Sequence, residues 1–527
     1  MERGGTDMRQ VQRLAFNTLL LTAASFFMQT VGVSFQVYLT SRIGSEGIGL
    51  WQLTMSVYSL AVTLAISGVR FAATRLVAEE LGLGSHRGAK AAMARCLWYS
   101  ALFGSGAAVI LWGGASLFAG QWIGDPRCAF SLRVLALGLP FLAMGSALGG
   151  YFTAVQRVLK SATAQALEQF IRIGVTVAIF LWLAPKGLEY ACAAVAAGSA
   201  VGEVCSLGLL WGLYLTDRRR YSHPGRPPRR MTFRLLHTAL PVAFSAYART
   251  ALTTLQNLLI PRGLRKSGAS SQGAFSSYGV IHGMVFPILL FPSALLTALA
   301  ELLVPELTRS QVAGKQARVD YMVGRVFSMG ILFSFGVAGM VWGFSRELGL
   351  IIYDSLEAGQ YMRIFAPLIP VMYMDMLTDG MLKGLGEQVA SMRYNIIDSL
   401  CSVILVYLLL PRFAIGGYLF TVWFTEVLNF ALSVGKLLRI SSLRVTLWGD
   451  VLRPATCVAA SAVFLPPLTV LMGLSPAACG GSLALRIALA LLVYIVLLCL
   501  TGAITREDAE WFAGLLLGHK KSCPDHI

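Results

Sequence analysis

Eight charged side chains, Glu168, Arg172, Glu203, Arg249, Asp375, Asp379, Asp398 and Glu426, stand in the middle of long apolar stretches of this chain. A charge at a bilayer centre costs roughly 2.5–3.5 kcal/mol on insertion scales, so a residue kept there faces a cavity, a partner or a ligand. Glu168 and Arg172 are four residues apart. They share one helical face and can form an internal ion pair. Asn395 and Asp398 are three apart, again on one face. With Glu426 or Asp375 from neighbouring stretches they offer the oxygen ligands that a small hard cation takes. A coupling sodium ion or proton fits these residues, and no other cofactor or metal is expected. The competing reading is that these acids are protonated or bonded to polar groups of the helices.

Arg249 has Ser245, Ala246, Leu252 and Thr253 at the positions that could pair with it along a helix. A guanidinium without a local acid suits a wet cavity and binds phosphate oxygens in bidentate fashion. Pairing with Asp375 or Glu426 across helices is the alternative. Arg70 and Arg262 lie nearer the ends of their stretches and can snorkel to an interface. With Arg249 they make up the candidate substrate-binding set.

These residues are carried by elements of one kind. The chain has 527 residues, of which 56% are hydrophobic and 13% charged. That is too apolar for a soluble protein of this length. About fourteen stretches reach the roughly 20 residues that span a bilayer. The fold class is therefore an all-α polytopic membrane protein. No loop exceeds roughly 20 residues, too few for a folded soluble domain.

The net charge of +17 raises the question of nucleic acid. Its placement answers differently. Basic residues gather in alternate loops, notably Arg75, Arg87 and Lys90, then Arg218, Arg219, Arg220, Arg226, Arg229 and Arg230, then Arg309, Lys315 and Arg318. This is the positive-inside pattern, with both termini cytoplasmic. The partners it implies are anionic lipids at the cytoplasmic loops, and no nucleic acid. The nine cysteines are scattered singly and read as small apolar fillers.

The chain also repeats. Arg133, Ala136, Pro140, Met144, Gly150, Ser161 and Glu168 recur about 230 residues later as Arg363, Ala366, Pro370, Met374, Gly380, Ser391 and Asp398. Asp125 pairs in the same way with Asp354. The division that follows is an N-lobe over 1–216, a basic linker over 217–231, a C-lobe over 232–440, two further spans over 441–504, and a cytoplasmic amphipathic tail over 505–527. An even number of spans per lobe makes the repeats parallel, around a central cavity.

The stretches 123–173, 291–310 and 350–388 resemble the stage V sporulation protein B family, within the multidrug/oligosaccharidyl-lipid/polysaccharide flippase superfamily. Gly150-Tyr151-Phe152, Glu168-Gln169 with Arg172, and Phe291-Pro292 carry the resemblance most specifically. It implies two six-helix lobes in a V, and a transporter rather than an enzyme. The implied substrate is an undecaprenyl-diphosphate-linked sugar, a peptidoglycan precursor, flipped across the bacterial cytoplasmic membrane. Cell-wall synthesis enzymes are the implied partners. Related lipid II flippases line the cavity with arginines of the first, second and eighth helices. This chain has no arginine inside its first span and has His282 and Glu301 in its eighth. The rival readings are a cation-coupled multidrug exporter of the same superfamily and a membrane-embedded glycosyltransferase. The latter lacks a visible catalytic loop or convergent acid/base cluster.

Overall fold

The structure, a computed structural model, describes residues 3–83, 85–183, 187–218, 231–441, 447–471 and 480–503. Most of the linker 217–231 and the tail 505–527 lie outside the described residues.

Among the described residues the regular structure is helical. The elements are α1 (Arg3–Ile66), α2 (Val69–Gly82), α3 (His86–Leu117), α4 (Cys128–Ala154), α5 (Val158–Leu183), α6 (Leu188–Arg218), α7 (Met231–Lys266) and α8 (Ser271–Gly279). There follow α9 (Phe286–Leu290), α10 (Ser293–Val312), α11 (Gln316–Tyr353), α12 (Leu356–Phe365), α13 (Ile369–Gly384), α14 (Gln388–Ile440), α15 (Arg453–Leu471) and α16 (Gly480–Leu500). A π-helical turn, Val280–Val285, joins α8 to α9. Nine helical segments among the described residues are long and apolar enough to cross a membrane. Two of the longest runs each carry two sequence-defined spans. α1 breaks at Gly44 (φ 71°) and α14 at Ala414 (φ 50°). A left-handed residue is natural for glycine and costs alanine strain of about 1–2 kcal/mol. Pro411 and Arg412 before it and the Gly416-Gly417 pair after it interrupt the apolar run, and the break falls between the two spans the sequence defines, 388–411 and 415–437.

The chain forms two compact units. The first contains 42–279 and 403–415, the second 1–41, 280–402 and 416–527. This partition follows packing rather than chain order. Residues 232–279, counted with the C-lobe by sequence, pack in the first unit, and 1–41 pack in the second.

In the first unit α4 packs on α2, α3 and α6, and α5 packs on α6. Lipid tails are as apolar as leucine, so helices in a bilayer associate through close packing of small residues rather than through the hydrophobic effect. The contacts obey that rule. A Cβ on Gly104 of α3 would stand 2.9 Å from the Pro140 Cα of α4, and one on Gly150 would stand 2.5 Å from the Arg70 carbonyl oxygen. In the second unit α11 packs on α12, α13 and α15, and α10 packs on α13. Gly349 and Gly359 form the matching close approach, with a Cβ on the former 2.5 Å from the latter's amide nitrogen.

The repeat is written into the backbone. Three helix-ending turns of the first unit recur 230 residues later in the second. Ser85 N–H donates to the Glu80 carbonyl and Lys315 to Ser310; Asp125 donates to Ala119 and Ser355 to Gly349; Arg157 donates to Phe152 and Glu387 to Leu382. Left-handed residues match as well, Gly124 with Asp354 and Gln156 with Gly386. The structural partner of Asp354 is thus Gly124, one residue before the Asp125 that the sequence pairing selects. Side-chain identity drew Asp125 and Asp354 together, whereas the turn geometry is what the two halves share.

Candidate functional site

Two clusters of membrane-embedded charge emerge, one inside each unit. In the first unit, Glu168 and Arg172 of α5 form an ion pair with side chains 16% and 30% exposed. α6 approaches this stretch closely because it carries glycine there. A Cβ on Gly198 would meet the Arg172 carbonyl at 2.8 Å, and one on Gly202 would touch both Arg172 and Glu168. Glu203 of α6 lies within Coulombic range of the pair, as does the Tyr58 hydroxyl from the second half of α1. Two acids here share one base.

The second unit has the acids without the base. Asp375 of α13 accepts a hydrogen bond at Oδ2 from the Asn429 amide of α14, at 2.9 Å. The other oxygens of this pair, Asp375 Oδ1 and Asn429 Oδ1, are buried without a hydrogen bond of good geometry among the described residues, with the Ser433 hydroxyl beside the Asp375 carboxylate. Glu426, one turn before Asn429, lies within Coulombic range of both Asp375 and Asp398. Asn395 is turned elsewhere and donates its amide to the Ser391 carbonyl at 3.0 Å. Ser391 in turn donates to Asp379, whose other oxygen meets Lys383 at 3.0 Å. So three of the four residues expected around a cation, Asp375, Asp398 and Glu426, feel one another's charge, and Asn429 takes the place expected of Asn395. Among the described residues no three acidic, histidine or cysteine side chains gather closely enough to form a metal cage. Asn429 was detectable in sequence as a mid-span amide three residues beyond Glu426, on the same face.

The repeat relates the clusters. Glu168 corresponds to Asp398, but Arg172 corresponds to Ser402. The base that neutralises the first cluster is missing from the second, which leaves buried carboxylate oxygens to be balanced by protons or by a cation.

The arginines behave differently from one another. Arg249 of α7 is exposed, and among the described residues its guanidinium has no partner. A neighbouring face of α7 is zipped to the second half of α1 and the turn after it by polar contacts: Tyr247 with Ser67 at 2.5 Å, Thr250 with Thr63 at 3.2 Å, and Asn257 with Ser56 at 2.8 Å. Arg249 stands off that seam, so its charge is free for a ligand. Arg70 of α2 is likewise exposed and unpartnered among the described residues. Arg262 is committed. It donates to the carbonyl oxygens of Gln121 and Trp122, the latter at 2.9 Å, and so ties α7 to the end of α3. Beside this turn, outside the spans, Arg127 bonds Asp125 at 2.6 Å and Glu46 at 2.7 Å, and the Asp125 carboxylate holds its guanidinium above the ordinary arginine range.

His282, in the π-helical turn before α9, meets the Tyr418 hydroxyl at 2.7 Å. π-turns inside α-helices recur at functional sites. The eighth span's histidine is thus built into the helix interior.

Helices long and apolar enough to cross a membrane, a doubled architecture and charge buried within the spans define a multi-pass membrane protein. The family follows from the sequence over more than half its length. Residues 14–311 match the polysaccharide biosynthesis protein model, and the chain belongs to that family. Residues 268–408 match the MatE model. Stage V sporulation protein B of Bacillus subtilis (strain 168) is 25% identical over 405 residues, covering 76% of this chain and 78% of that protein. Among solved structures, the lipid II flippase MurJ in an inward closed conformation aligns with a TM-score of 0.65 at 11% identity, covering 91% of this chain and 97% of that one. An inward-facing multidrug resistance MATE family transporter aligns with a TM-score of 0.60 at 16% identity, covering 80% and 98%. The protein is a multi-pass cell-membrane protein of the polysaccharide biosynthesis protein family.

Proposed function

We propose that this transporter flips an undecaprenyl-diphosphate-linked sugar, a peptidoglycan precursor, across the cytoplasmic membrane by alternating access of its two repeats. The observation that carries this reading is the mid-span guanidinium of Arg249, without a partner among the described residues, in a chain that must otherwise avoid lone charge in the bilayer; Arg70, equally unpartnered among them, lies nearer an interface. A diphosphate brings at least two negative charges into low dielectric, and arginine forks offset part of that cost. The likeness to a lipid II flippase supports the same reading. The division of labour we infer is the N-lobe 1–216 and C-lobe 232–440 around the cargo, with the spans in 441–504 against the lipid tail. Cell-wall synthesis enzymes would supply and consume the cargo on the two faces.

Coupling belongs to the second unit in this proposal. Asp398, Asp375 and Glu426 bring acid without base, and the buried Asp375 Oδ1 and Asn429 Oδ1 supply oxygen ligands for a sodium ion or a site for a proton. That same cluster favours a second reading, a cation-coupled multidrug exporter. One experiment separates them. The purified protein is reconstituted into vesicles with a labelled lipid-linked diphosphate precursor, and its accessibility to an impermeant reagent is followed. Accelerated flipping of the precursor is expected. Absence of flipping together with gradient-driven movement of an organic cation would overturn the flippase reading in favour of the exporter.

A further inference from the structure

A cavity of about 390 Å³ opens in the first unit between α3, α4 and α6, and none of its lining residues belongs to either charge cluster. Its lining is graded. At one end stands Lys90, and along the same face of α3 follow Leu97, Trp98 and Ala101. Met144 of α4 and Trp211 of α6 form the facing wall. Positions 90, 94, 97, 98 and 101 recur at helical spacing, so one stripe of α3 carries the whole gradient from ammonium to indole to methyl.

We propose that this cavity is a binding site for one anionic phospholipid of the cytoplasmic leaflet, its phosphate at Lys90 and an acyl chain along the stripe to Ala101. Four observations carry it. Lys90 is half-buried and, among the described residues, has no carboxylate partner. The nearest acid in the α6 wall, Asp217, lies one turn beyond Tyr214 and is already engaged by Arg157 and Lys160, the latter at 2.7 Å. That end of the cavity therefore keeps a surplus of positive charge. Second, eleven residues separate Lys90 from Ala101, roughly 16 Å of helix at 1.5 Å per residue. That is about half of the roughly 30 Å hydrocarbon thickness, the depth of a single leaflet. Third, Trp98 is 74% and Trp211 37% exposed, so the walls present flat apolar faces outward rather than into a protein core. Fourth, Lys90 belongs to the basic loop of Arg75 and Arg87, which the charge pattern assigns to the cytoplasmic side, where anionic lipids concentrate.

The floor is rigid, as a site requires. Tyr214 is 4% exposed and meets Tyr151 of α4 edge-on, with ring centroids 5.0 Å apart. Its neighbour Trp211 stacks obliquely on it at 6.1 Å. The cargo reading is independent of this site, because neither Arg249, Arg70 nor the acids of the second unit line it.

The test uses the full-length protein in neutral detergent, with native mass spectrometry counting retained dioleoyl phosphatidylglycerol beside dioleoyl phosphatidylcholine. Wild type is expected to retain one phosphatidylglycerol in preference to phosphatidylcholine. Lys90→Gln should weaken that retention about five- to tenfold, the scale of one lysine near a lipid surface. Ala101→Trp, which fills the apolar end, should abolish it while leaving Lys90 in place. The triple change Arg226→Gln, Arg229→Gln and Arg230→Gln in the basic linker should leave it unchanged. Inorganic phosphate should not displace the lipid. Equal retention of the two lipids by wild type, wild-type retention by both cavity variants, or loss on changing the linker instead would each overturn the proposal, as would displacement by phosphate.

Discussion

An arginine in a membrane helix without an acid to pair is stable only where water or a ligand reaches it, and Arg249 meets that description while Arg172 does not. Arg249→Lys keeps the charge but loses the planar fork, so flipping of a diphosphate-linked lipid should fall partially; Arg249→Ala should abolish most of it, since charge-assisted hydrogen bonds contribute roughly 1.5–3 kcal/mol each. Flipping rates in vesicles decide this, with thermal unfolding as control. Normal flipping by Arg249→Ala would remove the residue from the substrate path, and a large stability loss would mark it as structural. Asp398→Asn removes a charge that, among the described residues, has no ion-pair partner, its repeat equivalent of Arg172 being Ser402. The sodium or pH dependence of flipping should disappear in that variant while insertion persists, and an unchanged gradient dependence would return Asp398 to a structural role. The Glu168–Arg172 pair was legible in sequence because four-residue spacing fixes a shared face. The Asp375–Asn429 bond was not, because 54 residues separate its partners and only tertiary packing joins them. Arg262 misleads for the same reason: its carbonyl partners on Gln121 and Trp122 lie 141 and 140 residues away.

Between helices, glycine sets how near two axes come, and the consequences differ sharply by position. A methyl on Gly150 would lie 2.5 Å from a backbone oxygen of α2, an atom that cannot swing aside. Gly150→Ala should therefore lower stability by about 1–3 kcal/mol, the usual cost of overpacking. Gly106 of α3 has open space around it. Gly106→Ala should be neutral or stabilising by up to about 1 kcal/mol through reduced freedom of the unfolded chain. Thermal unfolding of the two variants in one detergent compares them directly, and equal midpoints would refute the packing account. The helices themselves were readable from apolar run length, since a bilayer demands about 20 residues of every crossing. The breaks inside them were readable too, though not their exact residue. Gly44 advertises its left-handed turn by residue type, whereas at 411–417 the proline and the glycine pair mark the interruption and the left-handed residue is the alanine between them.

Over the whole chain, duplication and charge asymmetry were written in the sequence, and the packing of the halves was not. A 230-residue offset is visible in residue types and again in three pairs of backbone turns. The exchange of 1–41 and 232–279 between compact units leaves no local signal, because an apolar helix carries no mark of which apolar neighbour it will choose. Orientation is different: it is decided by loop charge during insertion, and the charges can be counted. The basic residues between 218 and 230 outnumber those of any other connection, while the segment 473–482 has none. Short loops rich in lysine and arginine stay cytoplasmic. In a cysteine-free background, a cysteine replacing Ser222 should be silent to an impermeant maleimide added to intact cells and should react once the membrane is opened. A cysteine replacing Gly480, at the start of α16, should react from outside. An odd number of crossings between the two sites is the geometric content of this contrast. Reaction of the residue-222 probe in intact cells would invert the molecule, and with it the leaflet from which the proposed flipping would start.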